Sequence, residues 1–185
     1  MLHEIDDLRQ ERQRVDVRPS ADGVPPVLAV FDAVLSVDPQ EYIRRVRDVM
    51  SAALDVAITA SFDDEDLPIE GIPQWFSGVS GADGANIADF ARRGKECYHE
   101  AFGEKSWDLQ WWLFEFDPEN EFRGWAWWDI TKVGDRKIRV WTDSWGESFF
   151  ACNELRWLLH TAGAEKVSGP SLADASEWVL EIAGL

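Results

Sequence analysis

DLQWWLFEFDPENEFRGWAWWDITKVGDRKIRVWTD, residues 108–143, is the stretch whose reading decides the fold. Eight of the 11 tryptophans fall between Trp107 and Trp145. Three runs, 109–116, 122–131 and 136–142, are rich in aromatic and β-branched residues and read as strands. Asp117-Pro118-Glu119-Asn120-Glu121 and Gly134-Asp135 supply turn chemistry between them. Setting Phe116 opposite Phe122 brings Glu115 to Arg123 and Trp111 to Trp127. Taking Val133-Gly134-Asp135 as a three-residue loop brings Ile130 to Ile138, Asp129 to Arg139 and Trp127 to Trp141. Opposite charges and aromatic pairs then face each other, each pair stabilising a sheet by about 0.2–1 kcal/mol.

Side chains alternate along a strand, so this register defines two faces. One carries Trp112, Phe114, Phe116, Phe122, Trp128, Ile130, Ile138 and Val140 and is core. The other carries a row of Trp111, Trp127 and Trp141 with Arg123 and Arg139 beside it. Three readings of the row stand: a core layer under N-terminal helices, a partner-binding face, or a platform for a sugar or cationic ligand.

Helical patterns flank the stretch. Leu2, Ile5, Leu8 and Val15 recur at near-helical spacing, which predicts a short amphipathic helix over residues 1–15. Pro19, Gly23, Pro25 and Pro26 make the next segment a linker, so that this helix packs loosely or on another chain. The apolar run 27–36 suits either helix or strand. Asp38-Pro39 with Glu41 is a helix start, and the helix runs to about Leu54. Residues 56–62 suit a strand and lead into Asp63-Asp64-Glu65-Asp66, four acids in succession. Residues 67–84, with Pro68, Gly71, Pro73, Gly78, Gly81 and Gly84, form a long loop with a turn of helix near Trp75. Helices follow over 85–102, stopped by Gly103, and over 149–161, stopped by Gly163. Residues 166–168 suit a short strand, and Ser171 or Asp174 starts a last helix. The order predicts an α+β fold: an antiparallel, Trp-rich meander of at least three strands packed with helices from both flanks. The division is an N-terminal helix and linker over 1–24 and a single domain over 25–185.

The chain has 185 residues, 45% of them apolar, and a net charge of −17 from 35 acids against 18 Lys and Arg. Such a charge argues against nucleic acid and anionic membrane as partners and suits rapid encounter with a basic protein. Cys97 and Cys152 make neither a disulfide framework nor a zinc site, which points to a cytoplasmic home. The N-terminus lacks the basic start and apolar segment of a signal peptide.

Little in the sequence is arranged for catalysis. Cys152 and His160 share a predicted helix but stand about 12 Å apart along its axis. Cys97 and His99 point to different sides of theirs. The three histidines are dispersed, and the acids 63–66 lack the Gly and distal Glu of a calcium loop. The Gly-rich segment 78–84 precedes a helix but has no Walker lysine, and Asp83 stands where an anion would sit. No catalytic residue, metal or cofactor is expected.

The segments Glu154-Leu155-Arg156-Trp157-Leu158-Leu159, Ala162-Gly163-Ala164 and Val167-Ser168-Gly169-Pro170 resemble the C-terminal part of small acidic bacterial proteins. In being small, acidic and α+β, the chain is also similar in type to immunity proteins of bacterial toxin systems. That resemblance implies a non-enzymatic binder that neutralises or escorts a basic partner such as a toxin domain. The residues expected to serve are Asp63, Asp64, Glu65, Asp66, Asp117, Glu119 and Glu121 for steering, with Trp111, Arg123, Trp127, Arg139 and Trp141 as anchors. Two other readings remain open. One is a small-ligand binder or enzyme with an aromatic pocket between the sheet and loop 67–84; the other is a structural subunit docked through the first helix.

Overall fold

A computed structural model describes residues 3–81, 86–103, 105–120 and 122–184. Its elements are α1 (Ile5–Asp16), β1 (Val27–Leu35), α2 (Pro39–Thr59), α3 (Gln74–Val79), α4 (Asp89–Phe102), α5 (Leu109–Phe114), β2 (Ala126–Gly134), β3 (Lys137–Asp143), α6 (Asn153–Thr161), β4 (Ala164–Asp174) and α7 (Ala175–Ala183). The fold is α+β. Four antiparallel strands lie in the order β2-β3-β1-β4, with helices on both sides.

The ambiguous run 27–36 is the strand β1, flanked by β3 and β4. It shows no polar alternation because both its faces are covered. Phe31, Ala33 and Leu35 enter the main core, while Leu28 and Val30 enter a second core beneath α7. The main core is closed by residues of α1 to α6, the second by Trp178 of α7 on Trp128 and Trp141.

The run 109–116 is not a strand. Asp108 caps α5, its Oδ1 accepting from the backbone N–H of Gln110 at 3.0 Å and of Trp111 at 3.4 Å. Leu109, Trp112, Leu113 and Phe116 are buried, which is the i, i+3, i+4, i+7 stripe of a helix. Aromatic content favoured a strand; periodicity and the cap decide otherwise. The meander therefore shrinks to the hairpin β2–β3, and β1 and β4 complete the sheet from distant parts of the chain.

The hairpin turns tightly at Asp135-Arg136, with Gly134 opposite Lys137. A register shift at Val133 follows, so that Ile130 faces Val140 and Asp129 faces Trp141, two residues from the expected register. A shift of two preserves the faces, so Ile130, Ile138 and Val140 share the main core as expected. A bulge then breaks the alternation. Trp127 pairs with Thr142 and Asp129 with Trp141, leaving Trp128 unpaired between them. Trp127 turns into the main core, while Trp128 joins Trp141 under α7. The row Trp111–Trp127–Trp141 does not exist.

α1 is not an appendage. Leu8 and Val15 are buried in the main core, and the helix lies along the free edge of β2. Glu11 accepts from the Trp127 N–H at 2.6 Å, Arg14 Nε donates to the Trp127 carbonyl at 3.0 Å, and Arg18 reaches the Ile130 carbonyl at 3.3 Å. Those edge groups are what another strand would otherwise pair with. Leu8 and Val15, two of the apolar residues by which α1 would dock elsewhere, are thus packed within the chain.

The remaining elements hold closer to expectation. The Asp38 carboxylate caps α2 by accepting from Glu41 N–H at 3.0 Å, and the helix continues through the supposed strand at 56–59. Gly103, at φ +94°, ends α4. Asp174, not Ser171, caps α7. β4 runs through Gly169-Pro170, far beyond the short strand expected. Pro170 is accommodated because β4 is an edge strand. At Gly169 (φ +112°) a Cβ would lie 2.4 Å from the Val30 carbonyl oxygen, so only glycine lets the strands approach there.

Candidate partner-binding surface

The twelve residues expected to meet a partner fall into two groups, apart from Glu121, which lies outside the described residues. Four are internal. Trp127 and Trp141 have no exposed surface. Arg123 is buried between Glu11, held at 2.6 and 2.9 Å, and His3 at 3.2 Å. Arg139 bridges Asp32 at 2.9 Å and Glu181 of α7 at 2.8 Å. These arginines fasten helices to the sheet, Arg123 through α1 and Arg139 through α7.

The others converge on the region around α5. Asp63, Asp117 and Glu119 line a groove of about 270 Å³ together with Ile5, Phe62 and Pro118. Asp64, Glu65 and Asp66 continue from its edge and are exposed. Phe62 meets Phe114 edge-on at 5.9 Å, and Phe114 lies 6.4 Å from Trp111. Trp111 is 72% exposed. It also lines a second groove, of about 340 Å³, with Lys105, Ser106, Trp107, Asp108 and Glu115. An aromatic line, Trp111–Phe114–Phe62, thus joins two grooves bordered by carboxylates.

The local sequence explains this arrangement. α5 turns Leu109, Trp112 and Leu113 inward and leaves Trp111 and part of Phe114 and Glu115 outside. Trp111 and Glu115 stand four residues apart on one face of α5, and Trp107, just before the Asp108 cap, closes the same groove. After α5 the Asp117 carboxylate accepts from Glu119 N–H at 2.9 Å, an Asx-turn that fixes the acidic corner. Burial pushes the Glu115 carboxyl above the usual carboxylate range. Asp63 and Asp117 share a groove only because the fold joins the end of α2 to the end of α5, which no local pattern announces.

Groups with chemical potential elsewhere are engaged structurally. His3 contacts the Arg123 carbonyl at 2.9 Å, and burial, aided by the Arg123 charge, lowers its pKa. His160 is buried against the Ala164 carbonyl at 3.3 Å, its pKa pushed down to about 4 by burial. Burial raises the Cys152 thiol to about 11, so it stays protonated at neutral pH. Among the described residues, no three His, Cys, Asp or Glu side chains gather as a metal site.

The segment 67–81 is packed rather than open. Leu67, Ile72, Phe76 and Val79 are buried in the main core, and Gln110 clasps both backbone groups of Leu67, at 2.8 and 3.1 Å. An open groove of about 630 Å³ does lie beside Pro68, Gly71 and Pro73, but its far wall is α1 and α2, not the sheet. Polar groups dominate that wall, with Arg12 already bound to Asp16 at 2.6 Å and Asp55 at 2.9 Å. Residues 82–84 of the Gly-rich segment, and Ala85 after it, lie outside the described residues, as do Met1 and Leu2.

The chain matches no known family model, no curated protein and no solved structure.

Proposed function

We propose that the chain is a non-enzymatic binding protein that docks a basic protein partner on the surface around α5, and so neutralises or escorts it. The observation that supports this best is Trp111, a largely exposed indole between two grooves lined by carboxylates. Indoles dominate interface energies once desolvated, whereas exposed acids mainly speed encounter and exclude wrong partners. The net charge of −17 extends the same field over the molecule. A toxin domain held by an immunity-type protein is a partner of the required kind. Free Cys97 and Cys152 suit a cytoplasmic setting, and no helix among the described residues is long and apolar enough to cross a membrane.

The test is affinity capture from the host at low and high salt. Wild type is compared with Trp111→Ala and with a variant carrying Asn or Gln at positions 63–66. A basic protein held by wild type and reduced at least about tenfold on each variant is expected, with faster association at low salt. Identical capture by all three forms would remove the surface from consideration.

A further inference from the structure

The groove at Trp107 and Trp111 has a more specific chemistry than the rest of the surface. Its walls include two indoles, Trp111 from the first turn of α5 and Trp107 from the segment just before the Asp108 cap. Trp107 is fixed from behind, its Nε1–H donating to the Tyr98 hydroxyl at 3.2 Å. Two carboxylates, Asp108 and Glu115, line the same space against one ammonium, the exposed Lys105, so the lining is net acidic. The Oδ1 of Asp108 is engaged in capping α5. The Glu115 carboxylate receives no hydrogen bond from any described residue, although it is half-buried. A carboxylate with no partner inside the fold keeps its acceptor sites for a ligand's donors.

Building on the docking surface proposed above, we infer that this groove receives a single arginine side chain of the basic partner, its guanidinium against the Trp111 indole and its N–H groups on Glu115. A guanidinium is planar, weakly hydrated and carries paired donors, so it can lie on an aromatic face and bind a carboxylate through two parallel hydrogen bonds. A lysine ammonium offers one compact, strongly hydrated charge and fits two flat walls less well. A neutral apolar side chain would leave the Glu115 carboxylate without a donor.

The test needs no partner. n-Butylguanidinium is titrated into the full chain with the indole N–H resonances of Trp107 and Trp111 observed, alongside n-butylammonium and neutral n-butylurea. Saturable shifts at both indoles are expected, with butylguanidinium binding about fivefold more tightly than butylurea. Glu115→Gln weakens the guanidinium by a similar factor, and Trp111→Ala abolishes the shift at Trp107. Equal binding of butylurea, or equal shifts at Trp145, would overturn the cation pocket. Butylammonium binding as tightly as butylguanidinium would overturn the assignment to arginine. Failure of the titration alongside successful partner capture removes this pocket and leaves the surface with another anchor. The reverse outcome leaves a guanidinium pocket and removes the protein-binding reading.

Discussion

Glu11 of α1 accepts a 2.6 Å hydrogen bond from the backbone N–H of Trp127 while its two oxygens hold the Arg123 guanidinium at 2.6 and 2.9 Å. One carboxylate thus closes the free edge of β2 and fastens the first helix to the strand's entrance. Burial alone would raise its pKa, but Arg123 and the Trp127 N–H hold it below the usual carboxylate range. Arg123 depends on it in turn, with its guanidinium carbon 4.7 Å from the Phe116 ring and 5.0 Å from Trp125. Glu11→Gln keeps the shape and leaves the arginine charge buried and unpaired. Urea unfolding is expected to show a loss of about 3–5 kcal/mol. A loss under about 1 kcal/mol would mean that α1 is not bound to the sheet in this way.

Where the sequence was legible, the signal was local. The caps Asp38 and Asp174 and the stop Gly103 act within one turn of the residues they serve. The span Leu109–Phe114 carries two signals at once, aromatic content favouring a strand and apolar spacing favouring a helix. Only the helical phase buries Leu113 together with its neighbour Trp112, which strand alternation would place on opposite faces. β1 lacked a period because both its faces are covered. The bulge at Trp128 could not be read because no Gly or turn residue marks it, and that one extra residue separates Trp127 from Trp141. The groove joining Asp63 to Asp117 is a tertiary product with no sequence signature.

Gly94 marks where α4 and α6 touch. A Cβ there would lie 1.9 Å from the His160 carbonyl oxygen and 2.6 Å from its carbon, both backbone atoms that cannot rotate aside. An unconstrained helical glycine gains about 0.5–1 kcal/mol when replaced by alanine. Here the sign reverses: Gly94→Ala forces the helices apart and costs at least about 3 kcal/mol. Thermal unfolding by circular dichroism reads the difference, and a raised Tm would refute the packing of α4 on α6.

Two buried groups on α6 set opposing pH dependences. Glu154 is buried and accepts from Trp125 Nε1–H at 2.5 Å, and burial raises its pKa from 4.5 to about 7. An acid whose folded pKa is raised binds protons preferentially in the folded state. Its contribution is therefore fullest below about pH 4.5 and declines until about pH 7, by roughly 3 kcal/mol. His160, lowered from 6.5 to about 4, acts the other way, and its contribution is lost as pH falls from 6.5 through 4. The two slopes cancel between about pH 4.5 and 6.5. Glu154→Gln removes one of them. Its urea midpoint should rise steadily from pH 4 to 6.5 and exceed that of wild type at pH 8. A pH profile parallel to wild type would show that Glu154 does not titrate in this range.

Trp111 and Trp127 offer the sharpest contrast, because the chemistry is the same and only the position differs. Trp127 is buried in the main core, and Trp127→Ala opens a cavity that costs about 3–5 kcal/mol. Trp111 is 72% exposed, its ring tilted against that of Phe114 with centroids 6.4 Å apart, so Trp111→Ala should change stability by less than about 0.5 kcal/mol. If the exposed indole is an interface anchor, the same substitution lowers partner affinity by at least about 2 kcal/mol, more than tenfold. Stability from urea unfolding and affinity from calorimetry therefore move independently at Trp111. At Trp127 affinity falls only as the folded fraction does. A Trp111→Ala variant that loses stability as Trp127→Ala does would return that side chain to the core and leave the α5 surface without its anchor.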